Sequence, residues 1–162
     1  WPDVSDEALL ARAEEWLDLD ALAAGRGSDA TSGLRGLLGW RESARLDEVV
    51  PETITVPSGS RIRIDYPEPG SDTSPVLAVK LQECFGWADG PTVCDGRVRV
   101  VLHLLSPARR PLAVTDDLAS FWASVYPAVR VENRGRYSKH PWPEDPMTAT
   151  PTKRTNHALR GN

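Results

Sequence analysis

"GRVRVVLHLL", residues 96–105, alternates along its whole length. Val98, Val100, Leu102 and Leu104 fall on one face, and Arg97, Arg99, Val101, His103 and Leu105 on the other. A period of two marks a β-strand with a buried face, so the stretch predicts a long strand over 97–105, the best of its sheet. Upstream, "TITV" (53–56) and "RIRID" (61–65) repeat the alternation. The intervening "PSGS" supplies a proline-preset turn with Gly59 free to take positive φ, which predicts a β-hairpin. "PVLAVKLQECFG" (75–86) changes character midway. Val76 to Val79 read as a strand, then Leu81, Cys84 and Phe85 take helical spacing before Gly86 at a helix end.

Downstream of the long strand, "SPARRP" (106–111) reads as a loop. Thr115 then caps a helix over 116–126, with Asp116 and Asp117 at the positive end of its dipole and Leu118, Phe121, Trp122 and Val125 as its apolar stripe. Pro127 can open a second short helix, where its missing N–H is harmless, and Gly135 can close it. From Arg136 onward the proline spacing predicts irregular backbone, and 147–162 is expected to be an irregular tail.

Before residue 50 the period is 3.6. Ser5 caps a helix with Asp6 and Glu7 in its first turn and Leu9, Leu10, Ala13, Trp16 and Leu17 on one side. A flexible "GRGSDATSG" (25–33) leads to a second helix after Thr31 or Ser32, striped by Leu34, Leu37 and Leu38. A third, over 41–49, must stop before Pro51. The predicted fold class is therefore α+β. A helical portion (1–50) precedes an α+β domain (51–146), whose small mixed sheet has strands near 53–56, 61–65, 76–79 and 97–105 and is covered by helices.

The chain has 162 residues, 40% hydrophobic and 26% charged, which suits globular folding. No apolar stretch approaches the roughly 20 residues needed to span a membrane. Cys84 and Cys94 have no second pair and no Cys-x-x-Cys spacing, so they read as free thiols of a reducing cytoplasm and not as a zinc site. The sequence opens on "WPDVSDEALL" and its only methionine is Met147, so it reads as a piece of a longer protein. The net charge of −4 conceals a gradient. Residues 1–52 carry five basic and twelve acidic side chains, 53–96 three and six, and 97–162 eleven and five. The basic third can attract phosphate or an acidic protein, while the acidic third repels nucleic acid.

No phosphate loop, dinucleotide fingerprint, nucleophile elbow or His-Glu-x-x-His pair occurs. His103, His140 and His157 are too far apart in sequence to suggest a local metal site, and Asp116 and Asp117 read as dipole partners. No catalytic or metal-binding residue is therefore assigned. Binding candidates fall in two places. Arg109 and Arg110 on the "SPARRP" loop could hold phosphate oxygens bidentately or pin a neighbouring carboxylate or carbonyl. In "RGRYSKHPWPEDP" (134–146), Arg134, Arg136, Lys139 and His140 interleave with Tyr137 and Trp142. Cations with aromatics suit a grip on single-stranded nucleic acid. The same residues also suit a proline-stiffened strap whose rings lie on the core and whose cations pair with the acidic N-terminal helices, and Glu144 and Asp145 partly neutralise the segment.

Five stretches, "WPDVSDEALL", "VPSGSRIRIDY", "PVLAVKLQECFGW", "HLLSPARRPLAVTDDLASFW" and "GRYSKHPWPEDP", run in order across nearly the whole chain. Together they resemble the C-terminal region of HrpB-type bacterial ATP-dependent helicases of the DEAH-box class. Departures are modest: Cys84 stands where an aliphatic residue is more usual, and Ser138 where proline is common. The resemblance implies two motor domains N-terminal to this segment, with the phosphate loop, the DEAH sequence, ATP and magnesium. None of those motifs lies here, so the resemblance carries no catalytic residue and no cofactor onto this segment. It implies an accessory domain whose partners are the preceding helicase domains; the residues themselves leave open a further partner, either single-stranded nucleic acid or another protein to which the segment would recruit the motor as a docking module.

Overall fold

The computed structural model describes residues 1–160; Gly161 and Asn162, the end of the expected irregular tail, lie outside the described residues. The chain divides into two units, Trp1–Val50 and the residues from Pro51 onward.

The first unit is helical: α1 (Asp6–Ala11), α2 (Ala13–Trp16), α3 (Leu19–Ala23), α4 (Ala30–Gly36) and α5 (Trp40–Val49). The predicted first helix is broken at Arg12, whose φ of −117° and ψ of 23° depart from helical values. Beyond the break the Trp16 indole N–H donates to the Leu9 carbonyl at 2.9 Å, tying α2 back onto α1. Short polar side chains start three helices, as such caps do. Ser5 accepts from the Ala8 N–H, Asp18 from Ala21 and Asp29 from Ser32. The cap of α4 is thus Asp29, two residues ahead of the expected start. A Cβ at Gly33 would overlap the Trp16 carbonyl, so only glycine lets α4 lie this close to α2.

The second unit opens with the expected antiparallel hairpin of β1 (Thr53–Thr55) and β2 (Arg61–Arg63). Its turn is anchored by buried Glu83, whose Oε1 accepts from Ser58 Oγ at 2.8 Å and Ser60 Oγ at 2.5 Å. Strand β3 (Val76–Lys80) runs into a 3-10 turn, Leu81–Cys84. The single long strand expected over 97–105 is instead two. A hairpin joins β4 (Thr92–Val93) to β5 (Val98–Arg99), and β6 (Val101–Leu105) joins the main sheet. Val100 is the switch point: it is fully buried, and its N–H extends the β4–β5 register by donating to the Pro91 carbonyl at 2.9 Å. Alternation continues through it, which is why the sequence reads as unbroken.

Strand β7 (Pro111–Thr115) lies where the sequence reading passes from the 106–111 loop to the Thr115 cap with no strand between. It starts with proline, a residue tolerated on edge strands, and it is the edge: the order is β3-β6-β7, with β6 parallel to β3 and antiparallel to β7. The helix N-cap is consequently Asp117, not Thr115; its carboxylate accepts from the Ser120 N–H at 3.0 Å. From this cap the helix runs without interruption through α6 (Leu118–Ser120), a π-helical turn (Phe121–Val125) and α7 (Tyr126–Asn133). Pro127 does not begin a separate helix. The wide turn, in which the Tyr126 N–H reaches back to Phe121, has already given up regular bonding where proline lacks its N–H. It also shifts the helical phase, so that Val125, expected on the apolar stripe, is 44% exposed and Tyr126 takes that place in the core at 1%. Arg134, with φ of −59°, occupies the C-cap expected near Gly135.

The core gathers Leu77, Val79, Phe85, Val100, Leu102 and Leu104 against the helix residues Leu118, Phe121, Trp122 and Tyr126. Ring centroids of Phe121 and Trp122 lie 5.1 Å apart and those of Trp122 and Tyr126 5.4 Å, both edge to face. In the C-terminal stretch Thr152 is buried, its N–H donating to the Gln82 carbonyl at 2.9 Å, and α8 spans Asn156–Arg160. No helix among the described residues is long and apolar enough to cross a membrane.

Candidate nucleic-acid interface

The segment from Arg134 to Pro146 comes directly after α7 and is stitched back onto it. The Tyr137 N–H donates to the Asn133 carbonyl at 2.9 Å, and the His140 N–H to the Tyr137 carbonyl at 3.0 Å. Three side chains then bond to backbone carbonyls. Trp142 Nε1 donates to Tyr137 at 3.1 Å, Arg130 Nε to Trp142 at 2.8 Å, and the Tyr126 hydroxyl to Pro143 at 2.8 Å. Burial pushes the Tyr126 phenol up to about 12, against the opposing pull of Arg130, so it remains a donor throughout the physiological range. Arg130 also reaches Glu144 at 3.4 Å.

Tyr137 and Trp142 stack on each other with centroids 6.5 Å apart and planes at 30°. Trp142 belongs to the buried core and Tyr137 packs against it. A base could not slide between these rings without separating them.

The cations of the same segment face outward. Arg134, Arg136 and Lys139 are exposed, and among the described residues their side chains enter no ion pair or hydrogen bond. Lys139 is held through its backbone, its carbonyl accepting from the Asn156 N–H at 2.7 Å. His140 is half-buried; desolvation, and then the nearby Lys80 charge, hold its pKa below the ordinary imidazole value. It is the neutral member of the group near pH 7.

Arg109 and Arg110 sit at the tip of the β6–β7 hairpin, both exposed. The tip is closed by Ser106, whose N–H donates to the Arg110 carbonyl at 2.8 Å and whose Oγ accepts from the Arg110 N–H at 3.1 Å. Arg109 has φ of 62°, a left-handed conformation that L side chains seldom adopt. Among the described residues no hydrogen bond, ion pair or ring contact joins this arginine pair to the 134–142 segment. The candidates therefore form two groups.

Sequence reasoning passed over Lys80 and Arg130. Lys80 ends β3, where alternation alone gave no reason to pair it with residue 140. Arg130 lies on α7 twelve residues before the carbonyl it binds, and its only sequence signal was a cation on the helix face preceding the strap.

Residues 13–146 match the HrpB ATP-dependent helicase C-terminal family. The chain is similar to the ATP-dependent RNA helicase HrpB of Escherichia coli (strain K12), at 49% identity over 160 residues, covering 96% of this chain and 19% of that protein. A crystal structure of the E. coli DExH-box NTPase HrpB superimposes with a TM-score of 0.84 at 49% identity, over 96% of this chain and 19% of that one. A second, of the E. coli DEAH/RHA helicase HrpB, gives 0.68 at 47% identity over 88% and 18%. The present chain thus spans under a fifth of the length of these relatives, and it belongs to the HrpB ATP-dependent helicase C-terminal family.

Proposed function

We propose that this chain is the accessory C-terminal domain of a larger cytoplasmic ATP-dependent RNA helicase. It performs no chemistry itself and contributes phosphate contacts along a single strand. ATP and magnesium belong to motor domains outside this segment, whose own sequence lacks a phosphate loop. The observation that carries the binding role is the division of labour within 134–142. Its rings are committed to the strap, while Arg134, Arg136 and Lys139 stand exposed without protein partners among the described residues. Cations held on a braced backbone suit sequence-independent attraction to phosphates. Stacking on Tyr137 and Trp142 contributes nothing in this reading.

The test is fluorescence anisotropy of a short labelled single-stranded RNA against salt concentration. Each phosphate neutralised on a single strand contributes about −0.7 to the slope of log affinity against log salt. Replacing Arg134, Arg136 and Lys139 together by Ala is expected to weaken binding and flatten the slope by about 2. Absence of binding at low salt, or an unchanged slope in the triple variant, overturns the reading. Trp142→Ala is expected to lower the melting midpoint, with no separate loss attributable to base stacking.

A further inference from the structure

We propose that the second unit carries a docking groove for a basic peptide with an apolar anchor, on a surface separate from the cations of the strap. The groove, of about 340 Å³, is lined by Ala88, Ala119, Trp122, Ala123, Pro146 and Met147. Three chain segments far apart in sequence build it, and hydrogen bonds fix each to the next. Trp122 Nε1 donates to the Trp87 carbonyl at 2.8 Å, joining helix to loop. The Gly86 N–H donates to the Pro146 carbonyl at 2.9 Å, joining loop to strap. Asp145 accepts from the Met147 N–H at 2.9 Å and from Thr148 Oγ1 at 3.1 Å, holding the strap's corner. The walls are therefore preformed. Small side chains at 88, 119 and 123 leave room for an incoming side chain above Trp122, and Met147, 39% exposed, supplies an adaptable edge.

Charge at the rim selects the occupant. A second depression of about 200 Å³ shares Ala88 and Ala119 with the groove and is lined by Asp89, Asp116 and Asp117, against one cation, Arg99. Asp145 lines the groove itself. Asp89 and Asp116 are exposed, and among the described residues their carboxylates take no ion pair. Four carboxylates around an apolar floor repel phosphates and attract ammonium and guanidinium groups, so the complementary ligand is a polypeptide with one aliphatic anchor followed by Lys or Arg.

The probe is a fluorescein-labelled peptide of two leucines followed by four lysines, titrated into the chain at low salt. Specific binding is expected, weakening as salt rises. Asp89→Asn with Asp116→Asn is expected to reduce affinity by about threefold to tenfold, the span of two exposed ion pairs. Ala123→Trp, at an exposed position, fills the groove and is expected to cost about tenfold or more, the loss of one buried leucine. Circular dichroism checks that both variants keep the native spectrum. A peptide with serines in place of the leucines separates seating in the groove from general attraction to an acidic chain. The proposal is overturned if the wild type does not bind, if the serine peptide binds equally well, or if neither variant changes affinity. Failure of the RNA titration alone leaves every one of these outcomes readable.

Discussion

Between Trp1 and Val50 Ala21 alone is buried, whereas from Pro51 onward a continuous core takes in residues from the hairpin, the sheet, the helix and the strap. The first region does not lack apolar residues. Trp1, Leu10 and Trp40 are 71%, 75% and 78% exposed, and an open groove of about 400 Å³ is lined by Trp1, Val4, Leu9, Leu34, Leu38 and Leu46. Its order rests on caps, on the Trp16 indole bond and on surface ion pairs such as Arg35–Asp47. Such contacts are individually weak, because exposed charges remain solvated. The second region instead excludes water from large side chains, which is the dominant stabilising term. Amphipathic periodicity alone does not make a core: the helices of 1–50 are too short to bury a stripe, while the second region layers a sheet against a sixteen-position helix, 118–133.

The sharpest way to break this comparison is Trp122→Ala. The substitution removes a core ring and the bond to the Trp87 carbonyl, and it is expected to cost on the order of 3–5 kcal/mol. Amide exchange read residue by residue should show lost protection at Leu102 and Leu104, with α1 to α5 unchanged. Equal loss in both regions would mean that they unfold as one cooperative unit.

Gly33→Ala is the matching test in the first region, and here two effects oppose. Alanine inside a helix is favoured over glycine by about 1 kcal/mol. The new methyl, however, overlaps the Trp16 carbonyl, and forced repacking costs about 1–3 kcal/mol. Because the obstacle is backbone, the expected outcome is net destabilisation, seen as faster exchange over 13–36 and nowhere in the sheet. A gain in protection would show that α4 can step away from α2 without loss.

The legible parts of this molecule were those set by near neighbours. The 53–63 hairpin, β3 with its following turn, and the end of α5 before Pro51 each arise from a few adjacent residues. Other features depend on distant partners. Val100 looks like any other inward-facing residue of an alternating strand until Pro91 takes its N–H. "PLAVT" is an unpersuasive strand without β6 beside it, and the π turn that exposes Val125 leaves no mark in the spacing. The same distinction holds for the site. Proximity in sequence brought Arg134, Arg136, Lys139 and His140 together, but the commitment of Tyr137 and Trp142 to the strap depends on Arg130 and Tyr126. The groove between 88, 119–123 and 145–147 has no local signal at all.

The smallest expected effect concerns pH, and it divides the two regions by composition. All three histidines, 103, 140 and 157, lie beyond Pro51. Burial, with Lys80 adding to it, lowers the His140 pKa in the folded chain. The unfolded chain therefore binds the proton more readily, so stability rises with pH. The contribution is fully present above the unfolded imidazole value of about 6.5 and is lost as pH falls through the lower folded value. Moving from pH 7.5 to 5.5 should lower protection around His140 and the strap slightly, leaving α1 to α5 unaffected. His140→Gln should remove that dependence, and Lys80→Met should reduce it by withdrawing the like charge. An imidazole proton titration followed by NMR reads the cause directly. A His140 midpoint at or above the ordinary value would mean that the strap leaves the ring in water, and the segment would then be less firmly seated than its hydrogen bonds indicate.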